Sequence, residues 1–571
     1  MIRCYDIGGM GHTTAFDDRP LRDLTVSQVL RNRAEALGDE TALTYGPTDR
    51  TVSYATLDKT ANAVANALRD RGVARGDNVS VMMADPLETL LAMFGINRAG
   101  AVYAPINFEY EGAALSYQLN DTDPGVLVVE DRYVERLNAV VDDLDSHPLL
   151  VVAETDEGGA TPDDGFDSMP FATAKADSTA DPGVETDWDD TASIVYTSGT
   201  TGMPKGVVIP NRWILANYVT PKMALLGPDD VVHTSLPLYH IGGVYADVLA
   251  VLIAGGSAVL WDRFSPKAFW DRVEKYDATS ATLLSVMMPW LMKPPAADDD
   301  HHNTLDKVHM QPLPENYDAI AERFGFDFVT VAFAQTESGA PVVGVINAAE
   351  GEHATPTEYR RGKDPGEIVA ASREFGLPVV SDIDAERYMG QVREDIVEVA
   401  LLDERDEPVA PGEVGELAVR PKEPGLLLES YYNKPERTVE ATRNLWFHTG
   451  DAAYRDEAGN FYFVDRKGDV IRRRGENISS VQIQDEVNAH DAVDQAAAFP
   501  VDAPEGGEDQ IAVAVESEAA LDREALAGFL EGRLPEFMHP DHYVFVDEIP
   551  TTETNKMEKY QLRQSFEEDR R

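Results

Sequence analysis

Tyr196-Thr197-Ser198-Gly199-Thr200-Thr201-Gly202-Met203-Pro204-Lys205-Gly206-Val207 is the stretch on which the reading of the chain turns. It is a run of Gly, Ser and Thr closed by Pro-Lys-Gly. Ala192-Ser193-Ile194-Val195 lead into it and Val207-Val208-Ile209 lead out. Both flanks are apolar and β-branched, so the pattern predicts strand, loop, strand. Such a loop offers backbone N–H groups, several hydroxyls and one ammonium with little bulk, which is what a polyphosphate needs. It is not a Walker A loop: Gly206 rather than Ser or Thr follows Lys205, and Pro204 precedes it. The plain alternative is a flexible Gly/Ser/Thr linker. Linkers are rarely clamped between two buried-strand patterns.

Upstream, strands and helices alternate. Leu24 to Gly38 has helical spacing, Ala42–Tyr45 and Thr51–Tyr54 read as a hairpin, and Leu57 to Arg71 reads as a long helix stopped by Gly72. Asp77–Met83 is a buried-strand pattern, Glu88 to Arg98 a helix closed by Gly100, and Ala101–Ile106 the next strand. Alternation of this kind predicts parallel α/β layers. Gly158 to Asp190 lacks periodicity and reads as a loop or mobile surface insertion. Downstream, Val231–Leu236 and Gly256–Trp261 are strands around an apolar helix over Ala246 to Ala254. Ala281 to Met292 is a Met-rich and aromatic stripe, and Pro294 to Asn303 is a polar loop. Phe326–Phe333 is a strand ending in Phe333-Ala334-Gln335-Thr336-Glu337. Ala348 to Gly390 has no clear pattern. Strands at Glu416–Arg420, Trp446–Asp451 and Phe461–Arg466 follow. Beyond Arg466 the pattern is that of a compact α+β unit, with the boundary near Asp465 to Asp469. The predicted division is residues 1–465 and 466–571, with no internal repeat.

A chain of 571 residues is too long for one core. No apolar run is long enough to cross a bilayer. Met1 to Phe16 shows no basic region followed by an apolar core, so no secretory signal is expected. Cys4 is the single cysteine, which excludes a disulfide framework and points to the cytoplasm. The formal net charge is −52, from 101 acidic and 49 basic residues spread along the chain. A field of that sign opposes binding to nucleic acid and anionic lipid. It also makes the compact state repel itself unless salt screens it. A salt-loving source follows as an expectation, with a merely acidic protein as the alternative.

Taken together, the loop at Thr197–Gly206, Gly95–Asn107, Thr336-Glu337, Thr449-Gly450-Asp451, Gly475-Glu476-Asn477-Ile478 and the C-terminal Lys556 resemble the adenylate-forming acyl-CoA synthetases and their luciferase and peptide-synthetase relatives. The resemblance covers roughly residues 25 to 565. It implies an α/β fold: a large N-terminal adenylate-forming domain of layered sheets and helices, plus a small mobile α+β C-terminal domain. It also implies ATP, Mg²⁺ and coenzyme A, and a carboxylic acid, fatty or carnitine-like, activated as acyl adenylate. By the same resemblance Thr197, Ser198, Gly199, Thr200, Thr201, Gly202 and Lys205 hold phosphates, and Thr200 and Glu337 serve the metal. Phe333 stacks on adenine, with Ala334, Gln335 and Thr336 beside it. Asp451 takes the ribose hydroxyls and Arg466 the ribose or a phosphate. His240, in Leu236-Pro237-Leu238-Tyr239-His240, gates the acyl pocket, which Ala281 to Met292 would line. Lys556 reaches the substrate carboxylate and the α-phosphate. Arg474, Gly475 and Glu476 line the coenzyme A tunnel, and Gly468 stands at the hinge.

Four positions depart from the family pattern. Ala334 and Asn555 stand for glycines, Arg474 stands where Gly is frequent, and Val308–Glu315 replaces a Gly-Gly-Ala-Pro turn. That last loss, with Arg-Arg-Gly-Glu-Asn-Ile and Phe-Val-Asp-Arg, is most similar to the crotonobetaine/carnitine-CoA ligase branch. Two other readings stand beside an acid–thiol ligase: an adenylating module serving a carrier protein, and a homologue that binds nucleotide or acyl-CoA without turnover.

Overall fold

The strand–loop–strand reading is what the computed structural model shows. Thr191–Thr197 and Lys205–Pro210 pair antiparallel, with Tyr196 opposite Gly206 and Thr197 opposite Lys205. The structure describes residues 19–197, 204–348, 354–381, 383, 387–473, 476–502, 509–517, 521–531, 533–551 and 557–569. Gly206 is demanded by packing: a Cβ there would lie 2.8 Å from Ile194 and 3.0 Å from Tyr196 across the hairpin.

The described residues fall into two units. One contains those up to Thr197, Lys205–Glu398 and Arg420–Glu440; the other contains Pro204, Val399–Val419 and those from Ala441 onward. The first unit is α/β. One of its sheets runs Ser168–Pro170, Leu149–Ala153, Val126–Glu130, Asn78–Met82, Val102–Pro105, Thr191–Thr197, Lys205–Pro210, parallel except at the last pair. The other has Val231–Thr234, Ser280–Leu284, Lys307–Gln311 and Phe328–Gln335 as parallel neighbours at its centre. Gly339–Asn347 then returns antiparallel beside Phe328–Gln335. Helix ends follow local chemistry. Thr25 and Gln28 form a reciprocal capping box for Val26–Leu37, and the Asp85 carboxylate accepts from Leu87 and Glu88 N–H groups at the start of Pro86–Arg98.

Two stretches differ from their sequence reading. Within Gly158 to Asp190, Ser168–Pro170 adds a parallel edge strand to Leu149–Ala153, and Phe171–Lys175 is a helix with Phe171 and Ala174 buried. Side-chain amides tie the aperiodic remainder down: Asn62 donates to Thr179 O, and Asn66 donates to Ser178 O and Ala180 O. The Arg212 guanidinium lies 3.3 Å from the Trp188 ring centroid. Contacts made by distant residues leave no period in the segment itself. Within Ala348 to Gly390, Pro365–Glu374 is a helix capped by Asp364 and packed on Thr220–Leu225, and Tyr388–Val392 joins the sheet beside Gly339–Asn347.

The second unit is α+β. Gly415–Pro421, Phe447–Arg455 and Phe461–Arg466 form an antiparallel run. A separate sheet of Gln495–Asp502, Asp509–Glu516 and His542–Val546 packs with Ser480–Asn488, Arg523–Leu530 and Lys559–Asp569 around Ile483, Val513, Leu526 and Leu562. The strand His542–Val546 and the last helix were not read from the sequence. The α/β and α+β classes agree with expectation. Among the described residues no helix is long and apolar enough to cross a membrane.

A buried ion network pins the first unit's central sheet. Lys307 Nζ lies 2.6 Å from Asp306 and 2.9 Å from Asp230, all three side chains no more than 1% exposed. Asp230 also accepts from the Thr279 hydroxyl at 2.6 Å and the Gly227 N–H at 2.7 Å. Burial works against the Lys307 ammonium, but the two carboxylates outweigh it and hold its pKa above the ordinary value. Lys307→Ala leaves two buried carboxylates uncompensated. It is expected to cost about 3–5 kcal/mol, read as a lowered midpoint in denaturant unfolding.

Candidate active site

In the first unit, the site is assembled by the segment Leu428–Tyr432. Its backbone extends the edge of the hairpin formed by Thr191–Thr197 and Lys205–Pro210. Val208 N–H donates to Ser430 O at 3.0 Å, Glu429 N–H to Val208 O at 2.9 Å, and Tyr432 N–H to Gly206 O at 2.7 Å. One residue earlier, Leu428 N–H donates to the carbonyl of Glu337 at 2.8 Å. The same few residues therefore tie the strand of Lys205 to the acidic turn. Tyr431 completes the junction with its side chain. Its ring centroid lies 4.4 Å from Lys205 Nζ, and its hydroxyl donates to Glu337 Oε1 at 3.0 Å. Burial first, and the Glu337 carboxylate second, push the Tyr431 phenol up, so it stays a donor.

Glu337 sits in the turn between Phe328–Gln335 and Gly339–Asn347, half-buried like Thr336. Gly339 fixes that turn. It has φ +67°, and a Cβ there would lie 2.2 Å from the Asn217 side chain. Asn217 is held in turn by its own amide, which donates to Trp213 O at 3.1 Å and Leu426 O at 3.0 Å. The neighbouring Tyr218 hydroxyl is buried with no hydrogen-bond partner among the described residues, and the Glu337 charge adds to burial in raising its pKa. Phe333 is buried at 7% exposure, while Ala334 and Gln335 are half-buried. His240 is half-buried in the turn after Leu236, its N–H donating to Pro237 O at 3.2 Å and its ring 4.5 Å from that of Tyr239. Of Ala281 to Met292, Leu283, Met287, Met288 and Leu291 are core, while Val286 and Trp290 are 45% and 49% exposed.

In the second unit, Asp451 and Arg466 are opposite one another in adjacent antiparallel strands. Arg466 Nε is 3.0 Å from Asp451 Oδ1, and the Asp451 N–H donates to the Thr449 hydroxyl at 3.1 Å. Asp451 is 2% exposed and the Arg466 side chain 45%. Behind them Glu416 gathers Lys467 at 2.6 Å, Arg443 at 3.1 Å and His448 Nδ1 at 3.2 Å. Burial pulls Glu416 up, but the Lys467 ammonium and the His448 contact outweigh it and hold its pKa below the ordinary carboxylate value. Gly468 lies in the turn after Arg466, with open space where a Cβ would point. Glu476 is described by its backbone, paired with Arg473 in a short hairpin. Ser198, Gly199, Thr200, Thr201, Gly202, Arg474, Gly475 and Lys556 lie outside the described residues.

Residues 30–432 match the family described as AMP-binding enzyme, and residues 482–556 its C-terminal domain. The chain belongs to the AMP-binding enzyme family. Crotonobetaine/carnitine–CoA ligases of Salmonella paratyphi B and Salmonella typhi are each 29% identical to it, over 546 and 555 residues. These matches cover 94% and 95% of this chain and 98% and 100% of the relative. ATP-bound MatB from Rhodopseudomonas palustris has the same fold, with TM-score 0.76 at 23% identity over 95% of this chain and 99% of that one. So does o-succinylbenzoate CoA synthetase from Bacillus subtilis with its acyl-adenylate intermediate, at TM-score 0.73, 20% identity and 95% and 98% coverage.

For this AMP-binding enzyme the donor set fits a magnesium ion. Glu337 gives its Oε1 to the Tyr431 hydroxyl, and no group of three or more His, Cys, Asp or Glu side chains that could hold a metal occurs among the described residues. Mg²⁺ suits that poverty of ligands, because it keeps most of its waters and takes its other oxygens from phosphates. Tyr431 and Tyr218 were missed by sequence reasoning. Tyr431 sits in Glu429-Ser430-Tyr431-Tyr432, where no local pattern separates it from its neighbour. Tyr431→Phe keeps the ring over Lys205 and removes the hydrogen bond to Glu337. Pyrophosphate release from ATP is expected to slow by roughly 10-fold, the weight of one hydrogen bond to a half-buried carboxylate. Steady-state assay of Tyr431→Phe beside Tyr432→Phe checks it, with the second variant near wild type.

Proposed function

We propose that this AMP-binding enzyme joins a carboxylic acid to coenzyme A at the expense of ATP, with the loop after Thr197 and the acidic turn at Glu337 as its phosphate-handling centre. The activity is that of an AMP-forming acid–CoA ligase. A carboxylate oxygen of the acid attacks the α-phosphorus of ATP, the bond to the β-phosphate oxygen breaks, and pyrophosphate leaves. The coenzyme A sulfur then attacks the acyl carbon, and AMP leaves with the mixed-anhydride oxygen. The observation that carries this reading is Tyr431 bound at once to Lys205 and Glu337, one from each of the two family motifs, in a chain matched from residue 30 to 432.

Each residue's work follows from its chemistry. The Thr197–Gly202 loop and Lys205 neutralise phosphate charge, which otherwise builds up as the α-phosphorus is attacked. Mg²⁺, when bound, supplies further charge neutralisation at the phosphates, and Glu337 with Thr200 would hold it. Phe333 packs on the adenine with Ala334, Gln335 and Thr336 along the turn. Asp451, an acceptor-only carboxylate oriented by Arg466, takes ribose hydroxyls. Lys556 places its ammonium on the reacting carboxylate and α-phosphate, His240 gates the acid, and Arg474, Gly475 and Glu476 face coenzyme A. Residues 466–571 form the part that moves between the two steps, with Gly468 as hinge.

The experiment is pyrophosphate release with and without coenzyme A across a panel of acids. Acid-dependent release with thioester formation is expected. Acyl-AMP that accumulates without thioester would indicate a carrier-protein module, and no release would indicate a binder. Lys556→Ala is expected to abolish adenylation while largely sparing thioester formation from supplied acyl-AMP; equal loss of both steps overturns its role.

The excess of 101 acidic over 49 basic residues supports a cytoplasm rich in salt. From about 0.1 M to about 1 M salt the Debye length falls from about 10 Å to about 3 Å. The thermal unfolding midpoint is expected to climb across that range in KCl, and a flat or falling midpoint excludes a halophilic adaptation.

A further inference from the structure

An acidic side chain stands where local chemistry disfavours it. Asp121 is the next-to-last residue of the helix Gly112–Thr122, and the carbonyl end of a helix carries negative partial charge. What holds its carboxylate comes from elsewhere in the chain. Asp121 Oδ1 lies 2.7 Å from Lys434 Nζ, and Oδ2 accepts from the Tyr196 hydroxyl at 2.8 Å. The Asp121 carbonyl accepts from the Asn433 amide at 2.9 Å, and the neighbouring Thr122 hydroxyl donates to the Tyr196 oxygen at 3.0 Å. The Asp121 side chain is 12% exposed and that of Lys434 23%, so the pair is largely shielded from water and salt. Burial opposes the Lys434 ammonium, but Asp121 and Tyr117 outweigh it and hold its pKa above the ordinary value. Burial above all, with Asp121 adding to it, raises the Tyr196 phenol, which therefore stays a donor.

Both partners of Asp121 lead to Lys205 and Glu337. The Tyr196 ring packs on Gly206, its hydroxyl-bearing carbon 3.0 Å from where a Gly206 Cβ would stand. Gly206 follows Lys205, and its carbonyl accepts from the Tyr432 N–H at 2.7 Å. On the other side, the Lys434 N–H donates to the Tyr431 carbonyl at 3.1 Å. Tyr431 in turn has Lys205 against its ring and Glu337 on its hydroxyl. One carboxylate therefore fastens the strand that ends at Thr197 and, through Lys434, the turn that carries Tyr431. A second, neutral tie runs beside it. The Asn78 amide donates to Thr122 O at 2.7 Å and to the Tyr432 hydroxyl at 2.9 Å, so the helix end stays attached to this segment when the Asp121 charge is removed.

We propose that Asp121 is a positioning residue for ATP, setting Lys205 and Glu337 relative to each other through Lys434 and Tyr431 on one side and Tyr196 on the other. The inference rests on the acid–CoA ligase reading and deepens it. Lys205 stands at a strand end and Glu337 in a turn, and in a preorganised site a displacement of about 1 Å costs about 100-fold. Charge matters here as well as shape. An asparagine at position 121 still accepts from Tyr196 but gives the Lys434 ammonium no counter-charge, so the turn that carries Tyr431 loses its anchor. The effect falls on the phosphates, because Lys205 and Glu337 address them while Phe333 and Asp451 take adenine and ribose. AMP, which lacks the β- and γ-phosphates, is therefore the internal control.

The test is calorimetric titration of the full chain with ATP plus magnesium and, separately, with AMP, for wild type, Asp121→Asn, Lys434→Met, the double variant and Lys434→Arg. Asp121→Asn and Lys434→Met are each expected to weaken ATP binding by about 10-fold, the weight of one charge-assisted hydrogen bond, with AMP binding within about 2-fold of wild type. The double variant is expected to bind ATP no more weakly than either single one, because both changes remove the same contact. Lys434→Arg, which keeps the cation, is expected to retain ATP binding. A role in stability alone lowers the unfolding midpoint and weakens both nucleotides alike. Parallel losses for ATP and AMP, losses that add in the double variant, or an ATP affinity unmoved in either single variant overturn the inference. A wild type that binds ATP yet releases no pyrophosphate with any acid overturns the ligase reading, and the titration still decides the inference. A wild type that binds no ATP overturns both.

Discussion

The pairing of Ser430–Tyr432 with the outer edge of Lys205–Pro210 is the constraint on which the first unit's chemistry depends. Main-chain hydrogen bonds set its register, and register sets which side chain faces which neighbour. Slide the segment by one residue and Tyr432 rather than Tyr431 would meet Lys205 and Glu337. Because Leu428 also binds the Glu337 carbonyl, Lys205 and Glu337 are located by backbone, not by flexible side chains alone. The Lys205 ammonium and the Glu337 carboxylate are each held by Tyr431, one by its ring and the other by its hydroxyl.

The central sheet of the first unit handles two lysines in opposite ways. Lys307 is sealed and matched, with two carboxylates in direct contact. Lys222 retains exposed surface and makes no hydrogen bond or ion pair among the described residues, although the Asp247 charge favours its ammonium. The first arrangement is what stability requires of a buried cation.

The acidic surface acts on a different scale. Charge in excess by fifty-two is spread through sequence rather than concentrated near any motif. Its effect is on solubility and on self-repulsion of the fold, not on the fold's topology. The interior keeps its own accounts: Glu416 with Lys467, Arg443 and His448, and Asp451 with Arg466, are local solutions inside the second unit that need no help from the global field.

Much of this was legible before any coordinates, for reasons that are local. A hydrophobic period reports which face of a strand or helix is covered, so the alternation to Ile106, the hairpin around the phosphate loop and the α+β character beyond Arg466 could be read directly. Thr336-Glu337 and Thr449-Gly450-Asp451 were recognisable because turn chemistry constrains neighbours in sequence. Ser168–Lys175 and Pro365–Glu374 were not, because what holds them is supplied from elsewhere in the chain, by Leu149–Ala153 and Thr220–Leu225. The same holds for Tyr431, ninety-four residues from Glu337. By itself the sequence determined the family and the layered fold, both carried by short-range spacing. Tertiary structure alone decided which tyrosine joins lysine to glutamate and which lysine is sealed between two carboxylates, since both depend on register and burial between segments far apart along the chain.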